Sequence, residues 1–229
     1  MNTAKKAPVG QAAMPTQTTQ ASATGSSIAY SADHLANQFL IAMPHMADPS
    51  RRVLGVIRPT TEIIGQITKT GRIGVLGTRG TVTSNSYPIE IEKFWPALKV
   101  YQQACPMWVP LVENNEYDKP GADYFIQQHL NRLFQQSPTI DTLLLACTHY
   151  PLLIEKIRQF SPEGTTILAQ GSIVAESLKA YLQRHPEMEE RCSKNGSRTF
   201  FTTDSVIDFD NHASIFFGEK LSSRHLELL

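Results

Sequence analysis

The stretch Asp141–Cys147, with the sequence DTLLLAC, decides the fold prediction. Its central apolar run between Thr142 and Cys147 is typical of a strand that is buried on both faces, as in a parallel sheet. An apolar stripe at helical spacing precedes it over 121–136, and Pro151 is placed to begin a helix after it. The stretch therefore predicts a helix–strand–helix unit.

The same alternation extends along the chain in both directions. Strands are predicted at 53–57, 72–76, 100–103, 166–168 and 198–202, an extended piece at 107–112, and helices after Pro59, over about 84–95, over 173–182 and over about 209–217. Such alternation implies right-handed crossovers and helices that cover the sheet. We therefore predict an α/β fold with a parallel sheet covered by helices.

Composition divides the chain into three parts. Residues 1–50 form a low-complexity or poorly ordered leader, in which 4–27 are expected to be disordered and 31–43 could form a short helix. Residues 51–221 have the composition of a packed α/β region, and 222–229 are set apart as a tail.

Charge and composition exclude several classes of protein. The 21 basic and 21 acidic residues balance without a basic stripe, which argues against a nucleic-acid partner. No apolar run approaches the roughly 20 residues needed to span a bilayer, and no secretory signal is recognisable, so a cytoplasmic location is expected. The three cysteines and the absence of metal-binding spacings argue against a disulfide framework and against a metal site.

Two loops follow predicted strands at the place where parallel sheets bind ligands. They are GTRGT at 77–81 and CTHYP at 147–151. The second loop combines a thiol, a hydroxyl, an imidazole and a phenol, and it lies just before a predicted helix start. The positive potential of a helix N-terminus would stabilise a bound anion and the thiolate form of the cysteine. On residue type alone, a packed role for Cys147 is as well supported as a chemical one. A structural role is favoured for His149, as is a plain turn for 77–81.

A longer pattern adds to these observations. The stretch DTLLLACTHYPLL (141–153) resembles the second active-site motif of glutamate racemases, which are cofactor-independent members of the aspartate/glutamate racemase superfamily. The resemblance continues in order and spacing through GVIRP (55–59), IGVLGTRGT (73–81), ACPMWVPLVE (104–113) and TFFTTDSVIDFDNHASIFFG (199–218), and it covers about 51–221.

The resemblance implies both an architecture and an activity. The family fold is two similar α/β domains that face each other across the substrate cleft. The activity is interconversion of L- and D-glutamate without cofactor or metal, which supplies D-glutamate for peptidoglycan. Glutamate would be the small-molecule substrate, and a homodimer is a possible assembly.

The resemblance also implies roles for individual residues. Cys147 matches one of two catalytic cysteines, which exchange a proton on opposite faces of the substrate. Thr148 and His149 match substrate-contacting residues, and His149 would also assist proton transfer. Thr78 and Thr81 match threonines that line the glutamate site.

The chain departs from the family pattern at its N-terminus. The Asp-Ser-Gly segment, the Tyr-Gly loop and the first catalytic cysteine are absent, so we expect an incomplete second lobe. Asn2 and Thr3, with the following alanine, are either a remnant of the first active-site motif, and then substrate contacts, or a chance match. Cys105 is expected to be packed and Cys192 to be an exposed loop thiol, so neither is expected to replace the missing base.

Three functions remain open at this point: a glutamate racemase, an inactive fragment that binds a carboxylate or a partner, and a racemase of other specificity. The missing lobe predicts severe impairment of turnover, because racemisation requires a base on each face of the α-carbon.

Overall fold

The fold is seen in a computed structural model that describes residues 55–196 and 198–227. The predictions for 1–50, including the disordered 4–27, the helix at 31–43 and the contacts of Asn2 and Thr3, lie outside these residues. The elements run in the order α1 (Ile57–Ile67), β1 (Arg72–Gly77), α2 (Arg79–Ser84), α3 (Ser86–Phe94), β2 (Lys99–Ala104), α4 (Trp108–Glu113), α5 (Pro120–Gln136), β3 (Thr142–Ala146), a 3₁₀ turn (Tyr150–Leu153), α6 (Ile154–Phe160), β4 (Thr166–Ala169), α7 (Gly171–Arg184), α8 (Pro186–Glu189), β5 (Phe200–Thr202), α9 (Val206–Phe217) and β6 (Ser223–His225).

A four-stranded parallel sheet, in the order β2-β1-β3-β4, forms the centre of the molecule. All five residues of β3 are buried, so the prediction of a strand covered on both faces is confirmed. Successive side chains of a strand point to opposite faces. Accordingly, Leu143 and Leu145 pack into one core cluster, while Leu144 and Ala146 pack into the other.

Helix α5 covers the first of these faces, as its apolar stripe predicted. Ala122, Ile126, Leu130 and Leu133 are all fully buried in the same cluster as Leu143. The helix begins at Pro120, whose missing N–H costs nothing in a first turn. On the opposite face α1 and α3 supply the covering side chains.

The strand predicted at 53–57 is wrong for the residues that are described. Helix α1 begins at Ile57, and the exposed Val56 lies just before it. A short apolar run does not distinguish a strand from a buried helix end by periodicity. Pro59 lies in the first turn of α1, where no backbone N–H needs an intrahelical partner, so it fits inside the helix.

The extended piece predicted at 107–112 is also wrong, because this segment forms helix α4. Trp108, Val109 and Val112 are its buried residues, and their spacing of one and three positions places them on one helical face. Pro110 falls in the first turn of this helix, as Pro59 does in α1.

The helix predicted over about 84–95 is confirmed as α3 (Ser86–Phe94), and a short helix that the sequence did not predict, α2 (Arg79–Ser84), lies directly before it. Asn85 separates α2 from α3 in a left-handed conformation, with φ of 55°. The supposed loop at 77–81 is shorter than predicted, since α2 already begins at Arg79 and Thr78 caps it. Pro88 lies in the first turn of α3, where no backbone N–H needs an intrahelical partner, so it fits inside the helix.

The C-terminal elements form a separate small layer, in which β5 and β6 pair in parallel as a two-stranded sheet and α9 connects them. The segment 222–229, which the sequence set apart as a tail, contributes β6. Within the described ranges, no helix combines the length and the apolar character needed to cross a membrane.

Candidate functional site

The candidate site lies at the carboxyl edge of the central sheet. Gly77 at the end of β1 pairs with Ala146 at the end of β3. Thr78 and Cys147 are the residues that directly follow these two strands, and neighbouring strands lie about 4.8 Å apart. The register therefore brings the two loops that the sequence singled out to adjacent positions.

Thr78 and Thr81 form a hydroxyl pair at the start of α2. The Thr81 N–H donates to Thr78 Oγ1 at 3.4 Å, and the two hydroxyl oxygens are 3.2 Å apart. A side chain at Gly77 would crowd this pair, because an added Cβ would lie 3.2 Å from the Thr81 Cβ. The absence of a side chain at Gly77 thus lets the capped helix start close against the strand end.

Cys147 lies beside the imidazole of His149. The thiol is buried, with 4% of the residue exposed, and its Sγ is 3.8 Å from His149 Nδ1. The hydroxyl of Thr148 approaches the same nitrogen to 3.4 Å. Two groups that can donate a hydrogen bond therefore meet one ring nitrogen that can accept it.

Glu113, the last residue of α4, orients the other side of this ring. Its Oε1 is 3.3 Å from His149 Nε2. A carboxylate only accepts, so Nε2 carries the hydrogen and leaves Nδ1 of the neutral ring as an acceptor toward the thiol. Thiol, imidazole and carboxylate thus form a line of the kind that activates nucleophiles and bases.

Glu113 was not among the site residues predicted from the sequence. The residue closes the stretch ACPMWVPLVE (104–113) that carried part of the resemblance, and this stretch begins at the end of β2, a neighbour of β1. A carboxylate near the carboxyl end of a neighbouring strand was the available signal. The extended structure predicted for 107–112 obscured it, because a helix returns the chain toward the site.

Burial and charge act in opposite directions on His149. Burial lowers the pKa of His149 below its ordinary value, and a weaker contribution in the same direction comes from His212. The carboxylate of Glu113 raises this pKa by its charge and by its hydrogen bond, but the net shift is downward. The ring is therefore neutral at neutral pH, which is the form that can accept a proton.

Tyr150 belongs to the core cluster that also contains Cys105 and Cys147. The residue is fully buried, and its hydroxyl donates to the carbonyl of Cys105 at 3.0 Å. It heads a 3₁₀ turn that continues directly into α6, so the helix expected to begin at Pro151 is present, and only its first turn is wound more tightly than an α-helix. The phenol counted among the site groups is a core group that ties two loops together.

Cys105 is the packed cysteine that the sequence predicted. It is fully buried, its N–H donates to the carbonyl of Gly77 at 2.8 Å, and its burial, helped by nearby Cys147, raises the pKa of its thiol. Gly77 pairs with Ala104 on one side and with Ala146 on the other, so these alanines are roughly 10 Å apart, two strand spacings. A disulfide needs Cα atoms about 4.4–6.8 Å apart, so Cys105 and Cys147 flank β1 as separate thiols.

Other candidate groups lie away from this edge. Cys192 is exposed and donates to the carbonyl of Met188. In the part of the chain that the structure describes, no cluster of three or more His, Cys, Asp or Glu side chains could hold a metal ion.

Comparison with known proteins extends these observations. No protein-family model matches the chain. The chain is 36% identical over 176 residues to a glutamate racemase of Persephonella marina, covering 77% of this chain and 64% of that relative. It is 34% identical over 177 residues to a glutamate racemase of Lactiplantibacillus plantarum, again covering 64% of the relative. The chain thus spans just under two thirds of the length of these curated relatives.

A solved structure agrees with the sequence relatives. The crystal structure of glutamate racemase isoform RacE1 from Bacillus anthracis superimposes with a TM-score of 0.73, at 34% sequence identity, over 86% of this chain and 70% of that one. Sequence and fold lead to the same relatives, and the chain belongs to the glutamate racemase family.

Proposed function

We propose that this chain carries the acid–base half-site of a glutamate racemase, an isomerase that interconverts L- and D-glutamate without a cofactor. The observation that supports this most directly is the line Cys147–His149–Glu113 at the carboxyl edge of the sheet, in a chain of this family. Thr78, Thr81 and Thr148 stand beside it as hydroxyl donors for a bound carboxylate.

The chemistry begins with the thiol. Nδ1 of neutral His149 accepts the proton of Cys147, and Glu113 stabilises the imidazolium through Nε2–H. The thiolate then takes the α-hydrogen of glutamate as a proton, so that an S–H bond forms while the C–H electron pair moves into the α-carboxylate. Hydroxyl and backbone N–H donors around that carboxylate stabilise the developing charge.

The second half of racemisation needs a proton donor on the opposite face of the α-carbon. Among the described residues Cys105 is fully buried directly after β2 and Cys192 is exposed after α8, so we expect neither thiol to supply it. We therefore propose that residues 1–229 alone exchange the α-hydrogen on one face and invert glutamate slowly. Asn2 and Thr3 remain proposed substrate contacts.

The proposal has a wider biological setting. The product D-glutamate would serve peptidoglycan synthesis, the reaction would take place in the cytoplasm, and free glutamate would be the partner. A homodimer and a different amino-acid substrate are compatible with the same site.

A second candidate function is a module that binds a carboxylate or a partner without turnover. The single thiol at the described site favours it, because the threonine hydroxyls can bind a carboxylate whether or not a second base is present.

One experiment separates these functions. The protein is incubated with L- and D-glutamate separately in D₂O, α-deuteration is followed by NMR, and inversion is followed by chiral chromatography. Deuteration of one enantiomer that outpaces inversion is expected. Inversion at about 1–10³ s⁻¹ would show a second base and overturn the half-site proposal. If a folded sample exchanged no α-hydrogen, the second candidate function, a module that binds without turnover, would be favoured.

A further inference from the structure

Helix α9 reaches the candidate site through one aromatic side chain, although none of the helix's own residues is buried. The centroid of the Phe216 ring lies 5.2 Å from that of the His149 ring, and the two ring planes meet at 81°. Aromatic rings prefer this edge-on arrangement, which contributes about 0.5–1.5 kcal/mol per pair. The C-terminal layer is therefore joined to the site by a direct ring contact.

Phe216 adds an apolar contact to the polar surroundings of the imidazole. Nδ1 of His149 faces Cys147 and Thr148, and Nε2 faces Glu113. With these polar neighbours and the Phe216 ring around it, the His149 side chain keeps 16% of its surface exposed. Phe216 thus covers a part of the ring that the hydrogen-bonding groups do not occupy.

The neighbours of Phe216 on α9 make different contacts. Phe217 packs against Phe200 of β5, with ring centroids 5.4 Å apart, and the guanidinium of Arg198 lies over its ring. Ile215 has 41% of its surface exposed, against 42% for Phe216. Consecutive residues point about 100° apart around a helix. Phe217 therefore fastens α9 to its own layer, while Phe216 points toward the site.

We propose that Phe216 is a positioning residue that shields the His149 ring from water and holds it between Cys147 and Glu113. Its importance for catalysis rests on the proposed function, since only the neutral ring can accept the thiol proton of Cys147. The shielding itself is a property of the protein without substrate. It gives the outer helix a part in the chemistry that its lack of buried residues would not suggest.

Water access is the quantity that Phe216 controls. Burial is the largest influence on His149 and lowers its pKa. The titratable groups that act on the ring are Glu113 from α4, Cys147 from its own loop and His212 from α9. A substitution of Phe216 changes none of these groups. It lets water reach the ring, and a hydrated imidazole is protonated more readily than a buried one.

The test is an NMR titration of the ring nitrogens of the full chain without glutamate. The signal of His149 is assigned by its loss in His149→Gln. In Phe216→Ala, the titration midpoint of His149 should rise by about half a pH unit, because the charged ring regains water. Phe216→Leu keeps an apolar side chain at this position, so the rise should be smaller.

The matched control is Ile215→Ala, which removes an apolar side chain of nearly equal exposure from the same helix. This variant should leave the His149 midpoint unchanged. In each variant, a nuclear Overhauser effect between the rings of Phe217 and Phe200 shows that α9 has kept its place. The comparison therefore separates the loss of one ring contact from the displacement of the helix.

An unchanged or lowered midpoint in Phe216→Ala would overturn the inference, as would an equal rise in Ile215→Ala. If Phe216→Ala displaces α9, the unmodified chain decides. A nuclear Overhauser effect between the rings of Phe216 and His149 supports the inference, and its absence overturns it. The titration needs no glutamate, so a chain that shows the rise but exchanges no α-hydrogen would refute the proposed function and leave this inference standing.

Discussion

At the residue scale, the site depends on which ring nitrogen of His149 faces which neighbour. Glu113 accepts from Nε2–H, and this leaves Nδ1 free to receive the proton of Cys147. The thiol and the imidazole were predictable from the sequence because they lie two positions apart on one loop. Glu113 was not, because its partner lies 36 positions further along the chain and the two meet only after folding.

The substitution Glu113→Gln tests this arrangement. An amide neither stabilises the imidazolium nor fixes the ring tautomer, so the initial rate of α-deuteration of glutamate should fall about 10²-fold. The remaining activity should extend to lower pH, because Glu113 raises the pKa of His149 and its loss lowers that pKa further. Glu116→Gln, at an exposed position three residues away, is the matched control. Equal losses of rate in both variants would show that Glu113 has no specific role in the mechanism.

At the element scale, β3 was predictable and the short apolar runs were not. The short apolar run of β3 predicts a strand because it follows α5, whose long apolar stripe identifies that segment as a helix. The runs at 53–57 and 107–112 are too short for periodicity to separate a strand from a helix. In both, a proline was compatible with the first turn of a helix, and packing against the sheet decided the outcome.

Leu144→Ala tests the central position of β3. Leu144 is fully buried between β1 and β4 and lies in the core cluster on the face opposite α5. Its truncation leaves a cavity that neighbouring strands cannot close, so the free energy of unfolding should fall by about 2–5 kcal/mol. Urea denaturation would measure this loss of stability, with Leu178→Ala at an exposed position of α7 as the control. A smaller loss in Leu144→Ala would mean that β3 is not at the packed centre of the fold.

At the scale of the whole molecule, the fold is one parallel sheet with two covered faces and a thin C-terminal layer that reaches the site through α9. The fold class followed from the strand–helix alternation. The two-stranded sheet of β5 and β6 did not, because Ser223–His225 has no apolar pattern and pairs with a strand more than 20 residues away. The resemblance to glutamate racemases held over a stretch of similar length, 176 residues, since it rests on motifs rather than on element boundaries.

A buried histidine should make the stability of the whole molecule depend on pH. Burial, helped by Arg132, lowers the pKa of His129, whose ring packs against Trp108 in the core. As the pH falls, the unfolded chain therefore binds more protons than the folded one. The free energy of unfolding has its full value above a pH of about 6.5 and decreases as the pH drops below it.

His129→Phe should therefore reduce the loss of stability between about pH 7.5 and about pH 5.5, measured by urea denaturation. The loss should not vanish, because His149 has a lowered pKa and acts in the same direction. Leu178→Ala, at an exposed position of α7 that carries no titratable group, is the control and should leave the pH dependence as it is. An unchanged dependence in His129→Phe would show that the ring is not held neutral by the core.

The most direct test of the central claim compares two cysteines in one assay. The claim is that Cys147, and not Cys105, which is also buried, exchanges the α-hydrogen of glutamate. In D₂O, Cys147→Ser should abolish α-deuteration, because a serine hydroxyl is far less acidic than a thiol and His149 cannot ionise it as readily. Cys105→Ser should retain deuteration at a rate near that of the unmodified chain, provided circular dichroism shows that it is folded. Undiminished deuteration in folded Cys147→Ser would contradict the account.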